Sequence, residues 1–356
     1  MKSKVAVLFT SPESVKQDIS KAMEIAGYKE YLNKDIGTIL KINISWQYYY
    51  PACSTTPWQL DGVIETLKAD NFSKIIPTHN GTVVVDAKEG AINNKHVNVE
   101  KKHKIDSVYL EEADWIEYKP NSKMMVLDEV YPEGFSIPKI LIGKNIIHLP
   151  TVKTHVFTNL TGAMKNAFGG LLNHKRHWTH SVIHETLVDL LKIQKEIHPG
   201  IFAVSDGTLA GDGPGPRAMR WHQKNVILAS QDQVAIDAVA AKLMGFDPLK
   251  VKFIYLANQL GLGCGDVNNI EIVGDKIEGI NWKFSHIENT FASKMQKLIY
   301  WGPLKPLEKL LLRTPLVPWS YFASNIYHNE YWLRFIGKKR INEALKTPWG
   351  KLFQEY

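Results

Sequence analysis

Cysteine is nearly absent from this chain: Cys53 and Cys264 are the only two in 356 residues. Two thiols supply neither a disulfide scaffold nor the four thiolates of an iron–sulfur cluster. Long apolar runs are lacking as well, none approaching the ~20 residues of a membrane span. The run Val5–Phe9 behind Met1-Lys2-Ser3-Lys4 is too short for a signal-peptide core and reads as a first β-strand. No internal repeat or low-complexity segment occurs. What remains is core material: 44% hydrophobic and 22% charged residues describe a globular, soluble chain. Together these features lead to the expectation of a cytoplasmic protein, peripheral on the inner face of the membrane if its C-terminal region meets lipid.

The positive charge is confined to one end. Residues 291–356 hold eleven Lys and Arg against four Glu, an excess of +7 that equals the net charge of the whole chain. The same stretch holds 13 aromatic residues, about twice the 10% average. Trp and Tyr interleaved with Lys, Arg and Leu suit a membrane interface, where rings sit at headgroup depth and cations meet anionic lipids. Leu304–Leu312 and Pro315–Phe322 are the elements expected there. A tail that wraps the core, a dimer contact and a nucleic-acid surface are the competing readings. Nucleic acid ranks last because no recognition motif accompanies the charge, and the oligomeric state is left open.

The first two-thirds alternate in the manner of an α/β protein. Strands are expected at Val5–Phe9, Thr38–Ile44, Lys74–Pro77, Ile146–Leu149, Ile201–Ser205, Asn225–Ala229 and Ile270–Val273. Helices are expected at Ser14–Ala26, Trp58–Ala69, Thr161–Phe168, Ser181–Ile197 and Gln233–Met244. Thr55-Thr56-Pro57 is a helix start, hydroxyl caps followed by proline in the first turn. Residues 80–145 read as a strand-rich insertion or sheet edge without a long helix. The fold expected is an open, mostly parallel sheet in two lobes, 1–145 and 146–285 of a 1–285 core, followed by a basic aromatic extension, 286–356.

Chemistry concentrates in residues 152–170. Lys153, His155, Thr158, Thr161, Lys165 and Asn166 stand there with Gly162, Gly169 and Gly170, directly after the apolar run Ile146–Leu149. Polar groups behind a strand, where a helix begins, occupy the position at which open α/β sheets carry ligands. Glycines let a ligand approach the backbone, and unpaired N–H groups at a helix start near Thr161 favour an anion. The order of residues is not that of a Walker loop. We read Lys165 and His155 as catalytic, and Lys153, Thr161, Gly162, Asn166 and Gly169 as substrate-binding. The alternative is a capped helix packed on the sheet.

A second set follows the strand Ile201–Val204. Asp206 and Asp212 lie in the Gly/Pro-rich run 205–216, where carboxylates at a strand's end contact a metal or substrate. Asp206 is read as catalytic and Gly213 as substrate-binding; the competing reading is a wide surface turn. Asn43, at the end of the second strand, is a further substrate-binding candidate. His180 and His184, four apart, are weak candidates to share one metal. A divalent metal is therefore open as a cofactor, and an iron–sulfur cluster is not expected.

These residues resemble the DUF362 family, which is named for its unknown function. The resemblance rests on Leu149-Pro150-x-x-Lys153-Thr154-His155, then on Leu160-Thr161-Gly162-Ala163-x-Lys165-Asn166-x-Phe168-Gly169. It continues through Leu187-Val188-Asp189-Leu190, Asp206-Gly207, Gly213-Pro214 and Asp232-x-Val234-Ala235-Ile236-Asp237-Ala238-Val239. Gly245-x-Asp247-Pro248 and Gly261-Leu262-Gly263 complete it. The likeness runs from about residue 37 to 274. Many such proteins carry ferredoxin-type cysteine clusters, which this chain does not have. A more distant likeness is to the nickel-pincer lactate racemase family, where a histidine stands ten residues before the lysine that anchors the cofactor, as His155 stands before Lys165. That family's Asp-x-x-Arg-Pro segment has no counterpart near Asn43.

The functional expectation is an enzyme acting on an anionic small molecule, amphiphilic or lipid-linked. Lys165 and Lys153 would bind the anion, His155 would move a proton, and Asp206 would orient substrate or metal. The alternatives are a non-catalytic carrier of a cofactor or lipid, and a membrane-associated assembly factor.

Overall fold

In the computed structural model, the described residues are 2–82, 85–312 and 326–356. Thirteen strands occur among them. These are β1 (Lys4–Phe9), β2 (Thr38–Ile42), β3 (Ile75–His79), β4 (Val108–Tyr109), β5 (Trp115–Tyr118), β6 (Phe135–Pro138) and β7 (Asn145–Leu149). They continue as β8 (Thr151–His155), β9 (Asn159–Leu160), β10 (Ile201–Asp212), β11 (Arg220–Gln223), β12 (Val226–Ser230) and β13 (Glu271–Gly274). The main sheet runs β13-β1-β12-β10-β7-β2-β3-β4, with β8, β9 and β11 branching from β10. From β10 to β4 every pair is parallel, while β12 is antiparallel to both β10 and β1. It is an open, mostly parallel sheet, as expected from the alternating pattern.

Strands β2, β7 and β12 are buried along their whole length and consist largely of Ile, Leu and Val. Continuous apolar runs of this kind belong to strands covered on both faces. One face is covered by the helices Ile183–Ile197, Gln233–Met244 and Lys252–Gln259, through Leu187, Ile236, Leu243 and Ile254. The other is covered by Val15–Ile25, Pro57–Ala69 and Pro348–Glu355, through Ile19, Leu60 and Trp349. Both halves of the chain supply this one sheet, β2 and β3 from residues 1–145 and β7 and β10 from 146–285.

The strand order reverses between β2 and β7. From β2 the chain moves outward to β3 and β4; from β7 it moves the other way to β10. Crevices outside the carboxyl ends of strands at such a reversal are where open α/β sheets bind ligands. Lys41 near the end of β2, Asn80 just past β3 and the segment after β7 converge there.

Three local expectations need correction. Residues 80–145 contain three short helices, Ala87–Asn93, His96–His103 and Leu127–Val130, in addition to β4 and the separate β5–β6 pair. Second, β10 does not end at Ser205 but runs to Asp212, paired with β8 and β11. The glycines that suggested a loop serve close packing instead: a Cβ on Gly211 would lie 2.5 Å from Met219 Sδ. Third, the 152–170 segment opens as a further strand, β8, ahead of the helix expected at Thr161–Phe168.

The distal tail wraps the core. Trp349 is fully buried, stacks 5.2 Å from Trp58 and donates from Nε1 to Asn225 Oδ1 at 2.8 Å. Phe353 stacks on Tyr49 at 3.8 Å, and Trp332 fits between Trp46 and Tyr50. The expected element Pro315–Phe322 lies outside the described residues. Among the described residues no helix is long and apolar enough to cross a membrane.

Candidate functional site

The site begins with three lysines, two of them buried and the third, Lys165, half-buried. Lys41 is 3% exposed and Lys153 is 0% exposed, numbers that matter because a buried ammonium without a counter-ion is costly. Lys41 Nζ donates to Ile42 O at 2.8 Å and to Asn80 Oδ1 at 2.5 Å. Lys153 Nζ donates to Cys53 O and Thr151 Oγ1, each at 2.7 Å. Lys165, on the short helix Gly162–Asn166, has no hydrogen-bond partner among the described residues; its Nζ lies 5.5 Å over the Phe168 ring. No carboxylate forms an ion pair with any of the three among the described residues.

Their acidities follow. Burial, and then the charge of Arg176, lowers Lys41 to about 7. Burial followed by the charges of Lys153 and Arg176 lowers Lys165 to about 7, and burial lowers Lys153 to about 8. Near neutral pH these amines are poised between charged and neutral forms. A bound anion would tip them to the charged form and supply the missing counter-charge.

Two histidines face this field in complementary states. Burial first, then the charge of Lys165, drives His155 well below the usual histidine value, so it is neutral. Its Nδ1 accepts from Phe157 N at 3.1 Å, which leaves the ring proton on Nε2. His155 therefore presents a donor. His180 is the reverse: Nδ1 lies 3.0 Å from His177 O and donates to it, so Nε2 carries the lone pair. Burial lowers His180 to about 4. Of the two rings, His180 carries the open lone pair and His155 the open N–H.

The wall around His180 is aromatic. Phe168 stands edge-on at 5.5 Å, Phe157 at 5.7 Å, and Tyr300 stacks at 5.7 Å with 11° between planes. Tyr300 comes from the helix Phe291–Tyr300, so the C-terminal extension completes the wall. Trp301 follows it, 5.8 Å from Phe157, with Nε1 donating to Ser181 O at 2.8 Å.

The structure brings together most of the 152–170 candidates. Asn166 Nδ2 donates to Lys41 O at 2.8 Å, tying the Lys165 helix to β2. Thr161 Oγ1 is buried without a partner. Gly169 and Gly170 allow close approach: a Cβ on Gly169 would meet Asn80 Nδ2 at 2.9 Å, and one on Gly170 would meet Lys41 Cε at 3.3 Å. Gly162 has another purpose. With φ +68°, it lies where a Cβ would strike the Asp237 carboxylate at 2.4 Å. That carboxylate accepts from Ala163 N at 2.6 Å and Met164 N at 3.0 Å. The helix start expected to hold a substrate anion is occupied by an internal carboxyl group, which burial raises to about 7.

Three candidates stand elsewhere. Asp206 accepts from Thr56 Oγ1, from Trp58 Nε1 at 2.8 Å and from Thr208 N at 2.6 Å, fastening β10 to the start of helix Pro57–Ala69. Burial pushes its carboxyl above the usual carboxylate range, against those bonds. Asp212 is held by Arg220 at 2.9 Å and Ser285 N at 2.7 Å, and Gly213 lies in the same surface cluster. With their oxygens committed to these donors, neither aspartate fits a metal. Asn43 donates from Nδ2 to Cys53 O at 3.2 Å, the carbonyl that also takes Lys153, so it braces the loop rather than facing the site.

The metal candidates His180 and His184 gather no third ligand among the described residues; the one such grouping there is Asp61, Glu65 and His103. A nickel group of the racemase kind does not fit His155, whose Nδ1 is engaged by Phe157 N and whose Nε2 therefore bears hydrogen. Lys41, Asn80 and Arg176 were not read from the sequence. Arg176 Nη2 donates to Gly81 O at 2.9 Å and borders, with Asn80 and Gly170, a cavity of about 750 Å³.

The family model described as "Domain of unknown function (DUF362)" matches residues 38–242, more than half of the chain. That range contains every lysine and histidine of the set and excludes the C-terminal extension. A thylakoid-associated protein of Synechocystis sp. is 27% identical over 121 residues, 33% of this chain. The matched stretch covers 37% of that relative's own length. No solved structure matches.

Proposed function

Because the chain belongs to the DUF362 family, whose description assigns no activity, we propose its function from the site itself: an enzyme acting on an anionic small molecule. One observation carries this reading. Lys41 and Lys153, fully buried, and Lys165, half-buried, lie near the strand-order reversal, and none of them forms an ion pair with a carboxylate among the described residues. Structural lysines in protein interiors are paired, because an unpaired buried ammonium costs several kcal/mol. An anionic ligand supplies the pairing.

In this reading Lys165 and Lys41 bind the anion and Lys153 supports it from behind. Neutral His155 donates from Nε2, and His180 accepts a proton at its Nε2 lone pair. Lys165 also offers an amine lowered to about 7, suited to proton transfer near neutrality.

The test is Lys165→Met, which keeps the side-chain volume. Titration of the full chain with inorganic phosphate should show affinity falling at least about tenfold, with the thermal midpoint retained. Unchanged phosphate affinity would sink the proposal. A second reading, a carrier without catalysis, draws on His155 having no free lone pair. Native mass spectrometry of the purified protein separates the two: a stoichiometric bound amphiphile with no turnover favours the carrier.

A further inference from the structure

Residues 291–312 fold over the site yet leave an apolar and basic face in solvent. Thr290 caps the helix Phe291–Tyr300, its Oγ1 accepting from Ser293 N at 3.1 Å. Tyr300 and Trp301 press inward on His180 and Phe157. The segment then turns into Lys305–Leu307 and Glu308–Leu312. Outward it shows Met295 (42% exposed), Leu298 (39%), Leu307 (45%) and Leu310 (56%), with Trp301 at 43%. Lys294, Lys305 and Lys309 are exposed on the same segment. Its one acid, Glu308, accepts from Ser181 Oγ at 2.7 Å and so is committed to the core.

Exposure of this kind is concentrated rather than scattered. Nine of the fifteen large apolar residues exposed among the described residues lie beyond residue 286. By contrast, the distal tail from Trp332 onward buries its tryptophans.

We propose that residues 291–312 are the docking surface for an anionic lipid bilayer. Resting on the reading of the site given above, this names its substrate class as an amphiphile with an anionic headgroup taken from that bilayer. Charge complementarity selects the occupant: exposed lysines that form no ion pair among the described residues attract anionic headgroups, and each contributes modestly. The apolar residues between them enter the headgroup boundary, and Trp301 sits at the depth that indole rings prefer. The elements that would rest on the bilayer are those that carry Tyr300 against His180. Docking therefore places the aromatic wall of the site beside the headgroups.

The experiment is co-sedimentation of the full chain with vesicles of phosphatidylcholine alone and of phosphatidylcholine mixed with phosphatidylglycerol. The chain should sediment with the mixed vesicles and stay in solution with the neutral ones. Lys305→Gln with Lys309→Gln should weaken binding about fivefold per lysine. Leu298→Ser with Leu310→Ser should weaken it further. Both pairs are exposed, and an unchanged thermal midpoint checks that the fold is kept. Equal binding to the two vesicle types, no binding to either, or binding indifferent to both pairs overturns the proposal. Lys165→Met distinguishes it from the reading of the site: that variant should keep vesicle binding and lose phosphate affinity. If it keeps both, the site reading fails while docking stands. If vesicle binding is absent while Lys165 still governs phosphate affinity, docking alone fails.

Discussion

Two clusters of ionisable side chains lie inside this protein, and they are built on opposite rules. Around Asp61 every charge is answered. Lys102 donates to both carboxylate oxygens at 2.9 and 2.6 Å, His103 at 2.5 Å and Tyr356 at 2.9 Å, with Glu65 taking Lys102 at 3.0 Å. Burial pushes Asp61 up, but these partners outweigh it and hold the carboxyl low. Around Lys41, Lys153 and Lys165 the cations are answered only by carbonyls, hydroxyls, an amide oxygen and a ring face. The difference teaches what to look for. The Asp61 group also has the spacing of a metal site, yet lysines fill it, so it fastens the C-terminus to helix Pro57–Ala69. The lysine group has unfilled capacity, which the proposed anion would take up.

The contrast is breakable, most severely at Asp61. Asp61→Ala strands Lys102, His103 and the Tyr356 hydroxyl, and should cost roughly 3 kcal/mol in denaturant unfolding. Phosphate affinity should not change; if it does, the two clusters are not independent. Asp206→Asn should cost about 2 kcal/mol, since an amide N–H₂ would face donors where the carboxylate accepts. This variant too should keep phosphate affinity, and a loss there would restore Asp206 to the site.

Lys165→Met is the reverse case. Removing an unanswered charge should leave stability equal or raise it by about 1 kcal/mol, while affinity for the anion falls. A marked loss of stability would show that Lys165 is a structural group after all.

The contrast can also be tested in pH. Unfolded lysines bind protons up to about pH 10.4, whereas Lys41 and Lys165 release theirs near 7 and Lys153 near 8. Between those values the unfolded state holds more protons, so stability rises with pH from about 7 to about 10. Unfolding free energies across that window should slope upward, less so in Lys165→Met. Anion affinity should run the other way, weakening as the lysines discharge.

Much of this was legible in the residues. Thr56 and Pro57 announced a helix start that the structure completes as a capping box with Gln59. The alternating runs announced the sheet, and the density of Lys, His and Gly announced 152–170. Lys41 was not legible, because in Thr38–Ile42 it is one polar residue within an apolar strand. It becomes a site residue only through Asn80 from β3, Asn166 from the following helix and the close approach of Gly170. Asp206 was legible as a carboxylate at a strand's end, but its partners Thr56 and Trp58 are about 150 positions away. The tail's aromatics were equally ambiguous. Trp349 and Trp332 became core because they met Trp58 and Trp46, whereas Trp301 and Leu310 stayed at the surface.

By itself the sequence determined most of the sheet's strands and the helices that cover it, because periodicity, caps and breakers act on residues a few positions apart. It also determined that lysines, histidines and glycines would stand together after one strand. Only the tertiary structure decided which charges are answered and which are left open. Whether a buried ion has a counter-ion depends on groups brought from distant parts of the chain, and the cost of lacking one exists only once water has been excluded.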